Sequence, residues 1–375
     1  MKKQEIKVDF DNSILALSNS ILHYYGVNTE YKTLPILDKV LAEGYKNVVF
    51  MILDCLGTNI LEYHLHQNDF LYKHRTTDIS TIFPPTTAAA TITFHSGLPP
   101  IKSGWIGWMN YFPQYGRVIE NFRNVDFYTG EELQTPHPAE TILKYETIYE
   151  KIIKQNSDVE YHKIFPAFID GGAENFAEMC NRIKQATEIN DKRKIISAYW
   201  TEPDHSIHYN GVTSDTVHEV VNAINRQVEE LASKLKNTLI IISADHGAID
   251  VEETLINKHS DLCDTLCLPP TIETRFVSFF VKEGRYEEFE RLFKQYYGAD
   301  FVLYTKSEFL ASHILGYGDT HPMIDCFLGD FIAIATGKLS LNYDSGKRDL
   351  KLFVATHAGY STEEMTVPLI LIRCR

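Results

Sequence analysis

Positive charge is in short supply in this sequence. Thirty-six lysines and arginines stand against 50 aspartates and glutamates, for a net charge of −14. That excludes a bulk nucleic-acid binder, which needs a basic footprint to meet the phosphate backbone. A small anionic substrate held through cations stays open. Long apolar runs are also missing: none reaches the roughly 18 residues that a membrane-spanning helix needs, so no membrane partner is expected. The opening MKKQEIKVDFDNS has no apolar stretch and no small-residue cleavage site, and the expected location is cytoplasmic. Cysteine is sparse, with six scattered in 375 residues, and reduced thiols are expected. Cys263 and Cys267, with His259 nearby, lack a second cluster to complete a four-ligand zinc site. No repeat, low-complexity tract or Gly/Ser linker divides the chain.

What is present is a series of short apolar runs. NVVFMIL (47–53), YHKIFPAF (161–168), KIISAYW (194–200), TLIIISA (238–244), DFIAIATG (330–337), KLFVA (351–355) and TVPLILI (366–372) read as strands. Continuous apolar runs suit strands covered on both faces, as in parallel sheets. Between them, 139–156 and 215–237 carry apolar residues at helical spacing. The alternation predicts an α/β fold with a mostly parallel central sheet flanked by helices. Segment 270–322 reads instead as strand–helix–strand–helix. It is expected to be a small inserted α+β cap on a core made of 1–269 and 323–375.

The ends of the predicted strands carry polar groups. Asp54 follows the first. Asp204 and His208 follow KIISAYW, Asp245 and His246 follow TLIIISA, and His357 follows KLFVA. Each alone has a plain explanation: a lone Asp after a strand is an ordinary helix N-cap, and a lone His is an ordinary structural residue. Together they form a set. Ligands bind at the carboxyl ends of parallel strands, and Asp with His is the donor set of zinc and similar cations. Three of each are enough for two metals. Asp204 and His208, at i and i+4, share a helix face.

FPPTTAAATITFHSGLPP (83–100) places two threonines where a helix starts, at Thr86 or Thr87. The prolines are expected to hold the approach extended. A hydroxyl there can serve as a nucleophile, and the free N–H groups favour a phosphate. His95 is read as a core residue. From Ile82 to Ile101 there is no Arg or Lys. A phosphate monoester carries more negative charge than a diester, so this favours diester or pyrophosphate substrates, unless Arg117 or Arg123 folds inward.

Asp54, FPPTTAAATITFHSGLPP, EPDHSIH, ADHG and THAGY occur in an order that resembles the alkaline phosphatase superfamily, in its type I phosphodiesterase and nucleotide pyrophosphatase family, bacterial or archaeal branch. The resemblance implies Thr87 as the nucleophile, with Thr86 as the fallback. It implies one metal on Asp204, His208 and His357, and a second on Asp54, Asp245 and His246. It implies two divalent ions, zinc first, with manganese or iron as other occupants of the same donors. The implied reaction cleaves a small phosphorylated substrate through a phospho-threonine intermediate. The alternatives in the same superfamily are a phosphomonoesterase, a phosphonate hydrolase and a phosphotransferase. Within SGWIGWMNYF (103–112), Trp108 and Tyr111 are candidate substrate contacts, with core packing as the other reading. Trp105 is assigned to the core.

Overall fold

A computed structural model describes residues 6–375. The central sheet has six strands, in the order Arg75–Ser80, Thr366–Cys374, Thr238–Ser243, Asn47–Leu53, Arg193–Trp200 and Val159–Ile164. Only Thr366–Cys374 runs against the others. Every residue of Asn47–Leu53 and Thr238–Ser243 is buried, which is why their sequences are continuous rather than alternating. The mostly parallel α/β sheet is therefore as expected, but the reversed strand is not. A strand covered on both faces reads the same in either direction.

Helices cover this sheet. Asp215–Lys234 starts at Ser214, whose side chain accepts from Val217 N, and buries Val217, Val221, Ile224, Val228 and Leu231 at helical spacing. The predicted helix over 139–156 is two pieces, Pro138–Thr141 and Ile148–Gln155. A capping box between Thr147 and Glu150 restarts the chain there. The strand predicted over 161–168 stops at Ile164, two residues before Pro166, which has no N–H for a ladder.

A second, antiparallel sheet has the order Phe301–Thr305, Phe331–Ala335, Phe276–Phe279, Thr271–Ile272, Met109–Phe112, Arg117–Glu120 and Val125–Asp126. The strand–helix–strand–helix order read from 270–322 is present as Phe276–Phe279, Tyr286–Tyr297, Phe301–Thr305 and Lys306–Ala311. The sheet that takes in these strands also takes in strands from outside that range. Phe331–Ala335, expected in the main sheet, pairs between Phe276–Phe279 and Phe301–Thr305. KLFVA is not a strand of either sheet: only Ala355–Thr356 pairs, with Ile249–Asp250.

The helix Thr87–Ser96 lies between the two sheets. Ala89, Ala90 and Phe94 join the core of the central sheet, while Ala88 and Ile92 join the core under the second. A helix buried on all sides needs small or apolar residues all round, and this explains the three alanines. The two regions are also tied by a fully buried ion pair. Arg275 Nε and Nη2 donate to Glu364 Oε1 and Oε2 at 2.9 and 3.0 Å. Arg275 also donates to the carbonyls of Leu339 and Gly337, and Gly359 N donates to Glu364 Oε1 at 2.7 Å. The pair is thus fully hydrogen-bonded, as a buried ion pair must be. Among the described residues, no helix is long and apolar enough to cross a membrane.

Candidate active site

Three neighbouring central strands deliver candidate ligands to one edge. Asp54 follows Asn47–Leu53 directly, and Asp245 and His246 follow Thr238–Ser243. The helix Asp204–Asn210 follows Arg193–Trp200 and carries Asp204 and His208 one turn apart. His357 arrives from the short Ala355–Thr356 ladder. The six side chains form two groups, Asp54–Asp245–His246 and Asp204–His208–His357, with ligand atoms within 4.8 Å of one another in each. The groups abut: the rings of His246 and His357 stack with centroids 3.8 Å apart.

The donors are arranged as cation ligands. Each histidine places Nδ1 against a backbone carbonyl: His208 on Ala355 at 2.8 Å, His246 on Gly247 at 3.1 Å and His357 on Pro85 at 3.1 Å. With Nδ1 donating, each Nε2 lone pair faces the site, the orientation that ligating histidines take. The aspartates show the same division. Asp54 Oδ2 accepts from the Tyr199 hydroxyl. Asp245 Oδ1 accepts from the Cys55 and His246 backbone N–H groups at 3.0 and 3.1 Å. The remaining Asp54 Oδ1, Asp204 Oδ1 and Asp245 Oδ2 are buried with no hydrogen-bond partner. Buried oxygens of clustered carboxylates are costly unless something positive meets them. Two divalent cations fit these residues.

The titrations reflect the same crowding. Burial, then the charges of Asp245 and Asp204, push the Asp54 carboxyl well above the usual range. Burial would raise Asp204 too, but His208 and His357 hold it well below. Burial would lower His208, yet Asp204, 3.2 Å away, raises it to about 9. In metal-free protein this His208 contribution to stability is complete below its unfolded value of roughly 6.5 and is lost as pH climbs toward 9. A cation must displace that proton. Zinc titration by calorimetry at pH 7.5, in two buffers of different ionisation enthalpy, is therefore expected to release about one proton from this group. Binding that is indifferent to pH between 7 and 9 would contradict this.

The two threonines face different ways. Thr86 occupies the N-cap position in extended conformation, but its side chain does not cap the helix. Its hydroxyl donates to Glu273 Oε1 at 2.7 Å. Thr87 is the first helical residue, and its Oγ1 lies 3.2 Å from His246 Nε2. The first intrahelical N–H bond is Ala90 to Thr86 O, at 2.9 Å, so the end of the helix keeps free donors. The Phe83–Pro84 peptide is cis, not the extended approach expected from two prolines. Pro85 O receives both His357 Nδ1 and Ala358 N.

A cleft of about 580 Å³ opens over this centre. Thr86, Thr87, His208, His357, Trp108 and Glu273 line it. Tyr111 is not among the lining residues; its ring packs on Phe280 at 5.5 Å. Trp105 is core, with Nε1 donating to Leu143 O. His95 packs near Tyr149 and Phe165, where burial and Lys163 lower it to about 3. Arg117 is taken up by Asp126 and Glu131, while Arg123 reaches the cleft but pairs with the buried Glu120. Cys263 and Cys267 join no metal-type group among the described residues.

Three neighbours of the site escaped sequence reasoning. Tyr199, which supports Asp54, sits near the end of an apolar strand and looks like filler. Cys55, within reach of Asp204 and His246, is one residue past a ligand, where a strand simply ends. Glu273 lies in TIETRF, which has no motif.

Among solved structures, the chain is similar to murine ectonucleotide pyrophosphatase/phosphodiesterase 5, at 16% identity and a TM-score of 0.65 over 86% of this chain and 87% of that one. The human protein of the same name matches at 15% identity with the same TM-score and coverage. So does an inactive threonine-to-alanine variant of the murine protein in complex with AMP, at 15% identity. At such identities the likeness shows the fold alone. No curated protein matches. The family description of type I phosphodiesterases and nucleotide pyrophosphatases matches residues 48–266, more than half of the chain, and the chain therefore belongs to the type I phosphodiesterase/nucleotide pyrophosphatase family and is a hydrolase.

Proposed function

We propose that the protein hydrolyses small phosphodiesters or pyrophosphates by in-line attack of the Thr87 hydroxyl on phosphorus. The observation that carries this reading is the position of Thr87 Oγ1, at a helix N-terminus without a side-chain cap and 3.2 Å from His246 Nε2. Zinc is the first choice of cation, with manganese or iron on the same donors. Held by Asp54, Asp245 and His246 and by Asp204, His208 and His357, two such ions would supply charge neutralisation and a lowered hydroxyl pKa.

The chain's own groups do the rest. The free N–H groups at the start of Thr87–Ser96 receive phosphoryl oxygens, and the helix dipole favours their charge. Thr87 Oγ1 gives up its proton to solvent and forms a bond to phosphorus as the bond to the leaving oxygen breaks, and that oxygen takes a proton from solvent and departs as the alcohol. The retained half of the substrate is then esterified to Thr87. Water attacks the same phosphorus, Thr87 leaves, and its hydroxyl is restored. The net change is diester plus water to monoester plus alcohol. Trp108 supplies an aromatic wall. It suits a flat ring in the substrate, such as the base of the AMP bound by the murine variant.

Among the described residues no Arg or Lys bonds to the Thr86 or Thr87 hydroxyl, and the third cation of the cleft, Lys351, is exposed, which supports the diester over the monoester reading. Arg123 and Arg348, the arginines of the cleft, share Glu120. On matched aryl substrates, zinc-loaded protein is expected to hydrolyse the diester at least about tenfold faster than the monoester. A faster monoester would sink the diester reading and make the protein a phosphatase.

A further inference from the structure

Glu273 is an acid in an unusual place. It lines the metal cleft, yet it comes from the second sheet, next to the short strand Thr271–Ile272. One oxygen, Oε1, accepts from Thr86 Oγ1 and from Trp108 N, both at 2.7 Å. Two donors that are satisfied by one oxygen fix the carboxylate beside the residue that precedes Thr87.

The backbone around it is forced. Ile272 is fully buried and has φ of +86°. That region is poor for any L residue and worst for a β-branched one. Such conformations persist where the surroundings impose them, and they gather at functional sites. Here Gly107 makes the fit: a Cβ on it would stand 2.4 Å from Ile272 Cγ2 and 2.9 Å from Ile272 O. The close approach of these two segments carries Trp108 N and Glu273 to the same point.

We propose that Glu273 is a specificity-determining residue that sets the preference for singly charged phosphoryl groups. A diester carries one negative charge at phosphorus, and a monoester above its second pKa of about 6 carries nearly two. A fixed carboxylate next to the nucleophile turn repels the second charge more than the first. Among the described residues Glu273 has no ion-pair partner of its own: its Oε1 accepts from Thr86 and Trp108, while Arg123 and Arg348 bond to Glu120 instead. This inference rests on the Thr87 reading and adds the residue that selects the substrate's charge.

Glu273→Gln keeps an oxygen for both donors and removes the charge. Burial pushes the Glu273 carboxyl up to about 7, so the assay belongs at about pH 8.5, where the group is ionised. On matched aryl substrates with zinc-loaded protein, the monoester-to-diester ratio of kcat/KM is expected to rise about 10- to 100-fold over wild type. A ratio within about threefold of wild type, or an equal fall in both rates, would overturn the proposal, because a merely structural role moves both together.

A binding measurement guards against poor folding or low rates. Inorganic phosphate, mostly a dianion at this pH, should bind zinc-loaded Thr87→Ala/Glu273→Gln about tenfold or more tighter than Thr87→Ala alone. Equal affinities would overturn it. If Thr87→Ala kept wild-type diester activity, the nucleophile assignment would fall, and the phosphate affinities would still decide the role of Glu273.

Discussion

Replacing Thr87 by alanine is expected to lower kcat/KM on an aryl phosphodiester by about 10⁴-fold or more, because a nucleophile has no substitute in its own site. Thr87→Ser keeps the hydroxyl and should retain activity within about 100-fold, the loss reflecting a freer rotamer. Thr86→Val is the control for register. It removes the 2.7 Å hydrogen bond to Glu273 and leaves Thr87 in place, so a fall of about tenfold is expected, the worth of one hydrogen bond to a charged acceptor. The order Thr87→Ala far below Thr86→Val separates the two threonines. If the order reversed, Thr86 would be the attacking residue, and the contact of Thr87 with His246 would be incidental.

The second large effect concerns Asp54. Its carboxyl is buried beside Asp245 and Asp204, and burial together with their charges holds it well above the usual range. A carboxyl raised in the fold destabilises the metal-free protein wherever the unfolded chain would ionise it. Asp54→Asn is therefore expected to raise the metal-free melting temperature at neutral pH while lowering activity about 10³-fold or more. Zinc at 100 times its Kd stabilises wild type by about 2.7 kcal/mol, and the variant should gain far less. The opposite signs in one variant are diagnostic. A ligand of a cation costs stability without the ion and supports it with the ion, whereas an ordinary buried structural aspartate would lose stability in both states.

Much of the candidate site was legible because its candidate ligands stand at the ends of strands that the sequence marks clearly. NVVFMIL and TLIIISA are apolar at nearly every position because both faces are covered, and each stops within two residues of an acid. Asp204 and His208 were legible as a pair because helical spacing brings i and i+4 together. His357 follows no such strand; KLFVA is largely irregular. Its place after that run and the family resemblance both single it out, and the short ladder at Ala355–Thr356 brings it beside Asp204 and His208.

The rest was hidden for identifiable reasons. Met109 pairs with Ile272 across more than 150 residues of chain, and strands of two to five residues carry no local sign of such a partner. The reversed Thr366–Cys374 is apolar on both faces, so its direction leaves no mark. Tyr111 and Trp108 belong to one aromatic stretch of sequence, yet only Trp108 lines the cleft: it stands just before the strand Met109–Phe112, while Tyr111 lies within it and packs on Phe280. Glu273 depends on a strained turn at Ile272 and on the absence of a side chain at Gly107. Neither is a motif. Each becomes visible only when two distant segments touch.

The central claim is a covalent relay through Thr87. The stereochemical course at phosphorus tests it most directly, using a chiral phosphorothioate diester hydrolysed in isotopically labelled water. Two successive in-line displacements, first by Thr87 and then by water, give net retention of configuration, and retention is the predicted result. Inversion would mean a single displacement by water and would contradict a Thr87 intermediate, leaving the metal groups as the catalytic centre and Thr87 as part of the phosphate-binding turn.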